Sequence, residues 1–206
     1  MIFDKKIFLA FTMVCLCFLA EAQKDNRFTA QAMVGFNAAQ IRGDALAGYD
    51  FFGLTAGFQV TYPIAERWDL GIELLYSNKG SQREMSFSNA PNLLKTSLDY
   101  LEVPIIAIVR DWYIEDERYY KVAAHAGFSF ARLFEASSNN PLYADNVNEF
   151  KQNDFALIFG VSYNFTKRFA VNTRYSNSII NFYEDDVLET DGLINYLWNF
   201  TASYKL

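Results

Sequence analysis

The amino-acid sequence predicts an all-β fold, an eight-stranded antiparallel up-and-down transmembrane β-barrel preceded by a cleaved N-terminal signal peptide. Three observations lead to this fold class. Eight segments alternate apolar and polar side chains with the period of two that is typical of β-strands. The connections between these segments are alternately short and long. Aromatic residues make up 17% of the chain and cluster at the segment ends, as they do at the two interfaces of a membrane.

The first 22 residues are typical of a secretory signal peptide. Two lysines precede an apolar run over residues 7–20, and the sequence A-E-A at residues 20–22 has the small-x-small pattern of a cleavage site. This run is shorter than the about 20 apolar residues that a membrane-spanning helix needs. We therefore expect residues 1–22 to be removed and residues 23–206 to form one barrel domain.

Composition excludes several classes of function. Cleavage would remove Cys15 and Cys17, which leaves no disulfide, no thiol nucleophile and no thiolate metal ligand. The single remaining histidine is His125, so zinc sites built from cysteine and histidine are excluded, and we expect no cofactor. The net charge of -6 argues against a nucleic-acid partner.

The eight segments follow one another along the whole mature chain. The predicted strands are Phe28–Ile41, Gly53–Tyr62, Trp68–Lys79, Ser97–Arg110, Tyr119–Leu133, Phe155–Phe165, Phe169–Ile180 and Leu193–Leu206. The last strand is representative, because Trp198, Phe200 and Tyr204 on one face alternate with polar residues on the other.

Pro104 is an exception inside the fourth strand. A proline cannot donate a ladder hydrogen bond, and a closed barrel has no edge strand on which to place it. We therefore expect a β-bulge at Pro104.

The connections predict how the barrel is oriented. Those after the second, fourth and sixth strands are short, at residues 63–67, 111–118 and 166–168. The others are mostly longer and rich in Asn, Asp, Ser and Gly, at residues 42–51, 80–96, 134–154 and 181–192. With both chain ends on the side of the short turns, this is the plan of a bacterial outer-membrane barrel, which has short periplasmic turns and long extracellular loops.

The alternative all-β fold is a secreted soluble barrel of the lipocalin type, whose apolar face points inward. The aromatic residues favour the membrane barrel. Tyr62 and Trp68 flank the first short turn, and Tyr113 and Tyr120 flank the second, as expected for an interfacial girdle. The polar strand faces consist mostly of small residues, which suit a narrow lumen filled by side chains. We therefore expect the apolar faces to contact lipid.

Three stretches carry a resemblance to a known family. They are VGFNAAQIRGD (Val34–Asp44), GIELLYSNKGS (Gly71–Ser81) and LDYLEVPIIAIV (Leu98–Val109). These stretches resemble the small outer-membrane β-barrel family often labelled PorT-like or "porin family", which is common in Bacteroidota-type bacteria. The resemblance implies an eight-stranded barrel in the cell outer membrane of a Gram-negative bacterium. The final residue, Leu206, departs from the terminal Phe or Trp that such barrels favour.

Charged residues on the predicted inward face form the candidate site, which we call the lumen polar network. Its members are Glu73, Glu102, Arg174, His125, Asp69, Arg110 and Lys121. Strands three and seven lie opposite each other in a ring of eight, so Arg174 can reach Glu73 or Glu102 across a narrow lumen. An isolated charge there would be costly to desolvate, so we predict that Arg174 pairs with one of these carboxylates and closes the barrel. Asp69, Arg110 and Lys121 are predicted to form a second group towards the periplasmic end.

Three functions remain open at the level of sequence. The first is a structural or interaction role, in which the extracellular loops, above all Phe134–Asp154, contact a protein or glycan partner. The second is a narrow ion or solute pore lined by the inward charges. The third is an enzyme at the barrel rim, which needs a nucleophile, a base and an orienting acid. His125 and Ser129 share a strand face, but a histidine that fills the lumen explains this pattern better, so we expect no enzyme.

The acidic run Tyr183–Asp191 offers hard oxygen ligands of the kind that Ca²⁺ prefers. It lacks the spacing of an EF-hand loop. We interpret it as a solvated loop and expect no metal site.

Overall fold

The structure is a computed structural model that describes residues 28–42, 50–85, 92–139, 150–181 and 194–206. Its strands are β1 (Thr29–Arg42), β2 (Phe51–Ala65), β3 (Trp68–Met85), β4 (Asn92–Ile114), β5 (Tyr119–Ser138), β6 (Asn153–Asn164), β7 (Phe169–Ser178) and β8 (Ile194–Lys205). Each strand pairs antiparallel with the next, and β8 pairs with β1, which closes the barrel. The predicted fold class is confirmed. The expected signal peptide and the acidic run over residues 183–191 lie outside the described residues.

The strands β3, β4 and β5 are longer than the alternation predicts. The predicted connection over residues 80–96 is largely strand, because β3 and β4 stay paired as far as Met85 and Asn92. Beyond the membrane a strand pair has water on both faces, so the apolar alternation ends while the hydrogen-bonded ladder continues. Sequence alternation therefore marks the membrane-embedded part of each strand, not its end.

The barrel places its apolar side chains outside and its polar side chains inside. Along β2, Leu54 and Phe58 are 55% and 59% exposed, whereas the residues that directly follow them, Thr55 and Gln59, are 1% and 4% exposed. This is the reverse of a soluble barrel and is favourable only where lipid surrounds the strands. Trp198, on the outward face of β8, lies in this lipid-facing surface.

We call the end of the barrel with both chain ends and the connections after β2, β4 and β6 the short-turn end, and the opposite end the long-loop end. Aromatic pairs lie on the outer surface at both ends. At the short-turn end, Tyr113 and Tyr120 have ring centroids 5.0 Å apart. Towards the long-loop end, Phe36 and Phe52 are 6.0 Å apart. The aromatic girdles predicted from the sequence are thus present at both ends of the described strands.

The predicted bulge at Pro104 is wrong. Ile72 pairs with Ile105 and Leu75 pairs with Glu102, so the register between β3 and β4 is the same on both sides of the proline. Pairing with β3 lapses locally, while Pro104 stays in register with Ser129 on β5. The missing N–H donor of Pro104 therefore interrupts the pairing of β3 with β4 locally, but no extra residue is inserted into either strand. The irregularity in β4 lies instead between Asp99 and Tyr100.

Candidate functional site: the polar lumen

Arg174 on β7 and Glu73 on β3 meet across the centre of the lumen. The guanidinium donates two hydrogen bonds, from Nη1 to Oε2 and from Nη2 to Oε1, each 2.7 Å long. Gln59 on β2 donates a further hydrogen bond of 2.5 Å to Glu73 Oε1. Both charged side chains are buried. The bidentate geometry is the strongest form of this ion pair, and of the two partners predicted for Arg174 the structure selects Glu73.

His125 lies beside this pair, on the side of the short-turn end. Arg174 Nε donates to His125 Nε2 at 3.3 Å, and His125 Nδ1 lies 3.4 Å from Ser162 Oγ. Because an arginine N–H only donates, Nε2 must be the acceptor and the ring proton of neutral His125 is on Nδ1. Ser129 also faces the lumen, but its hydroxyl has no hydrogen-bond partner among the residues that the structure describes. His125 therefore completes the packing around Arg174.

A second charged layer, nearer the long-loop end, is centred on Lys79 of β3. Its Nζ lies 2.5 Å from Glu102 Oε1 and 3.4 Å from Asp154 Oδ2, and 4.9 Å from the centre of the Tyr100 ring. Ser178 donates a hydrogen bond of 2.9 Å to the same Asp154 oxygen. Glu102 is thus paired with Lys79 rather than with Arg174.

Lys79 and Asp154 are missing from the network predicted by the sequence. Lys79 continues the inward alternation of Glu73 and Ser77 by one more step, so its facing could have been found. Asp154 is the second residue of β6, but it falls at the end of the predicted connection over residues 134–154. Because no apolar alternation precedes it, the sequence gives no local signal that Asp154 belongs to a strand.

Asparagines link the strands between these two layers. Asn199 on β8 donates to Asn37 on β1 at 2.7 Å, and Asn37 donates to Ser77 on β3 at 2.9 Å. A cavity of about 10 Å³ beside them is the size of about one water molecule. The middle of the lumen is therefore filled by side chains.

The third polar group lies at the short-turn end. Asp69 Oδ2 is 3.1 Å from Arg110 Nε, as the predicted grouping requires. Lys121 does not join them, which corrects the prediction: its ammonium lies 5.0 Å from the Trp112 ring and 5.6 Å from the Tyr163 ring. Trp112 has a left-handed backbone (φ 59°), which breaks the alternation of β4 at the rim and presents an aromatic face to the cation.

Lys205 takes the place of Lys121 in this group. It lies on the inward face of β8 and interacts electrostatically with both Asp69 and Arg110. The sequence placed Lys205 on the polar face of the last strand, but its proximity to Asp69 depends on how β8, β1, β2 and β3 are staggered around the ring. A contact of this kind cannot be read from one strand.

The long-loop end of the lumen is closed by apolar side chains. A buried cluster lines it from three strands and from the segment that precedes β6; its members are Ile41, Leu98, Tyr100, Ala131, Leu133 and Phe150. Phe150 is only 4% exposed. This buried apolar cluster beyond the Lys79 layer, which we call the apolar cap, opposes the entry of hydrated ions, because an ion would lose its water there.

In the described part of the chain there is no group of three or more His, Cys, Asp or Glu side chains that could hold a metal ion. Nor is any helix of the described residues long and apolar enough to cross a membrane.

The family model described as "Outer membrane protein beta-barrel domain" matches residues 21–184. The chain belongs to this family. Members of an outer-membrane family lie in the cell outer membrane, and the lipid-facing surface described above agrees with that location. The bilayer is therefore the environment of the outward apolar side chains. No curated protein matches the chain.

Solved structures of similar fold are outer-membrane barrels of low sequence identity. Ail, the attachment invasion locus protein of Yersinia pestis, is 13% identical with a TM-score of 0.47, covering 87% of this chain and 99% of that one. Neisserial surface protein A is 16% identical with a TM-score of 0.47, covering 87% and 97%. OprG from Pseudomonas aeruginosa is 12% identical with a TM-score of 0.43, covering 87% and 94%.

Proposed function

We propose that this protein is an outer-membrane barrel with a closed, side-chain-filled lumen and a structural or interaction role exercised at its long-loop end. The observation that carries the proposal is the bidentate contact of Arg174 with Glu73 across the lumen. The Lys79 layer and the apolar cap lie between this contact and the long-loop end, so an ion would have to pass three obstacles in series. The partner class that fits an extracellular loop surface is a protein or a glycan.

The PorT-like assignment within Bacteroidota-type bacteria is part of the proposal. It is supported by the motifs in Gly71–Ser81 and Leu98–Val109, which lie in β3 and β4 and include Glu73, Lys79 and Glu102. The stretches that carry the resemblance therefore also supply three of the charges that fill the lumen. A part in protein secretion is not included in the proposal.

We also propose that the barrel is not an enzyme. A general base must have a free lone pair within reach of the nucleophile. The acceptor nitrogen of His125 already accepts from Arg174, and the other nitrogen carries the proton that faces Ser162. This arrangement orients His125 as a packing partner and leaves Ser162 without a base.

A narrow pore is the second candidate. The observation that favours it is the polar cavity of about 80 Å³ that extends from the short-turn end as far as Arg174 and His125. A pore would require the Arg174 contact and the Lys79 layer to open.

Planar-bilayer recording tests the closed lumen directly. We expect the purified wild-type barrel to stay at background conductance, because both charged layers and the apolar cap block the lumen. Detergent alone serves as the negative control and a wide porin in the same bilayers as the positive control. Steady wild-type conductance that is absent with detergent alone would contradict the closed lumen and favour the pore. A change of its size in the Glu73→Ala/Arg174→Ala double variant would place the narrowest part of the path at this contact, and an unchanged size would place it elsewhere along the lumen.

A further inference from the structure

The short-turn end of the lumen contains a cavity that is lined by charged side chains. Its volume is about 80 Å³, and its lining includes Asp69, Arg110, Lys205 and Asn172. A water molecule needs about 15 Å³ of such volume. The cavity therefore has room for roughly five water molecules, or for one small ion that takes up the same space. It is too small for a nucleotide or a sugar chain.

The charges of the lumen are unevenly distributed along the barrel. At the centre, Arg174 and Glu73 balance each other. The layer nearer the long-loop end has Lys79 with two carboxylates, and so an excess of one negative charge. The cavity at the short-turn end has Arg110 and Lys205 with one carboxylate, Asp69, and so an excess of one positive charge. A lumen of this polarity attracts anions to the short-turn end.

The two cations of the cavity are incompletely satisfied. Within the described part of the chain, the partly buried Lys205 ammonium has no ion pair or side-chain hydrogen bond. The Nε of Arg110 is buried and has no acceptor in hydrogen-bond geometry, although an Asp69 oxygen is 3.1 Å away. Arg110 also has the Asp69 carboxylate beside it and donates from Nη2 to the Glu66 carbonyl at 3.0 Å, so the unused donors are its Nε and the Lys205 ammonium. A counter-anion between these two donors would be stabilising.

We propose that this cavity is a binding site for a small oxyanion of the phosphate or carboxylate type, held by Lys205 and Arg110. Both groups form charge-assisted hydrogen bonds with oxyanions, and arginine matches their geometry best. Asp69 lies between the two cations and competes with the ligand, which keeps the affinity moderate. The short-turn end faces the periplasm in outer-membrane barrels, so the anion would come from that compartment or from the inner-leaflet lipid head groups.

Isothermal titration with inorganic phosphate tests the site. The intact barrel is held in a non-ionic detergent, and ionic strength is matched with sodium chloride so that only specific binding gives saturable heat. We expect one site per barrel. Lys205→Gln should weaken binding at least about tenfold, the effect of losing one charge-assisted hydrogen bond. Lys167→Gln is the matched control, because Lys167 is an exposed cation in the turn after β6 and lies outside the cavity.

Asp69→Asn provides a gain of binding that misfolding cannot imitate. Removing the competing carboxylate should tighten phosphate binding by about tenfold or more, since each 1.4 kcal/mol of interaction is a factor of ten. The absence of saturable binding in wild type and in Asp69→Asn would overturn the proposal. So would equal weakening in Lys205→Gln and Lys167→Gln, because that result reflects general charge and no site.

Two further titrations distinguish the source of the anion. Acetate replaces phosphate in the first, and saturable binding of either anion supports an oxyanion site. The second repeats the phosphate titration in nanodiscs with and without phosphatidylglycerol. A weaker apparent affinity in the presence of this lipid identifies its head group as an occupant, and an unchanged affinity identifies a free anion.

Discussion

Arg174 and Glu73 are 101 positions apart in the chain and form the central contact of the lumen. All three nitrogens of the Arg174 guanidinium donate hydrogen bonds. Nη1 and Nη2 donate in parallel to the Glu73 carboxylate, and Nε donates to His125. A lysine at this position would supply one point charge and could not make the fork. The pair therefore restricts the residue type on both strands more strongly than charge alone would.

Replacing Arg174 with alanine should destabilise the barrel by roughly 3–5 kcal/mol, because Glu73 would remain buried without its partner. Water entering from the cavity at the short-turn end reduces this loss. The measurement is the denaturant midpoint, followed by the mobility difference between folded and unfolded protein on gels. An unchanged midpoint would show that the contact does not contribute to stability.

Two variants control this experiment. Arg67→Ala removes an exposed ion pair with Asp111, whose atoms are 3.5 Å apart, and should cost no more than about 1 kcal/mol. The double variant Glu73→Gln/Arg174→Gln leaves no unpaired charge and should recover much of the loss. Glu102 needs no replacement here, since it is paired with Lys79.

At the scale of the elements, the strands of this barrel approach one another closely at particular glycines. A Cβ atom at Gly127 of β5 would lie 2.0 Å from the backbone oxygen of Ile105 and 2.8 Å from the Cα of Ile106. Both contacts are with backbone atoms of β4, which a side-chain rotation cannot relieve. At Gly71 of β3, by contrast, a Cβ atom would meet only side-chain atoms of Ile106 and Ile108.

Gly127→Ala should therefore lower the free energy of unfolding by about 1–3 kcal/mol, because β4 and β5 must separate to admit the methyl group. Gly71→Ala is the matched control and should stay within about 1 kcal/mol of wild type, since side chains can move and alanine restricts the unfolded chain. Both values follow from denaturant midpoints in the same detergent. Equal effects of the two substitutions would contradict the backbone contact as the cause.

At the scale of the whole molecule, the barrel is polar inside, apolar outside and differently built at its two ends. The long-loop end is capped by apolar side chains around Phe150, while the short-turn end holds the open polar cavity. Access from the two sides of the outer membrane is thus unequal. The proposed anion site is reached from one compartment only, and this depends on which end faces the periplasm.

Cysteine labelling measures the orientation. Single cysteines at Ser88, Asn140 or Asp186, all in the long connections, should react with a membrane-impermeant thiol reagent on intact cells. Cysteines at Ala65 or Asp116, beside and within the short turns, should react only after the outer membrane is permeabilised. The reverse labelling pattern would show that the barrel has the opposite orientation, with the polar cavity at the cell surface.

The strand number, the outward apolar face and the two aromatic girdles could all be predicted from the amino-acid sequence. Apolar and polar side chains alternate along each strand with a period of two, and burial in lipid favours the same alternation in every strand. Local sequence was therefore sufficient to predict these features. It also identified inward charges such as Glu73 and Arg174, although it missed Lys79 and Asp154. Of the two partners that it offered for Arg174, the structure shows Glu73, on the strand that lies opposite in a ring of eight.

The partner of each inward charge could not be predicted in this way, because it depends on the closed barrel. Glu102 pairs with Lys79 and not with Arg174, and Lys205 rather than Lys121 joins Asp69. These contacts depend on the stagger between neighbouring strands, which sets the height of each side chain in the lumen. The stagger is a property of the closed barrel and cannot be derived from the sequence of a single strand. Alternation therefore predicts whether a side chain points inward or outward, but it does not predict which side chain it contacts.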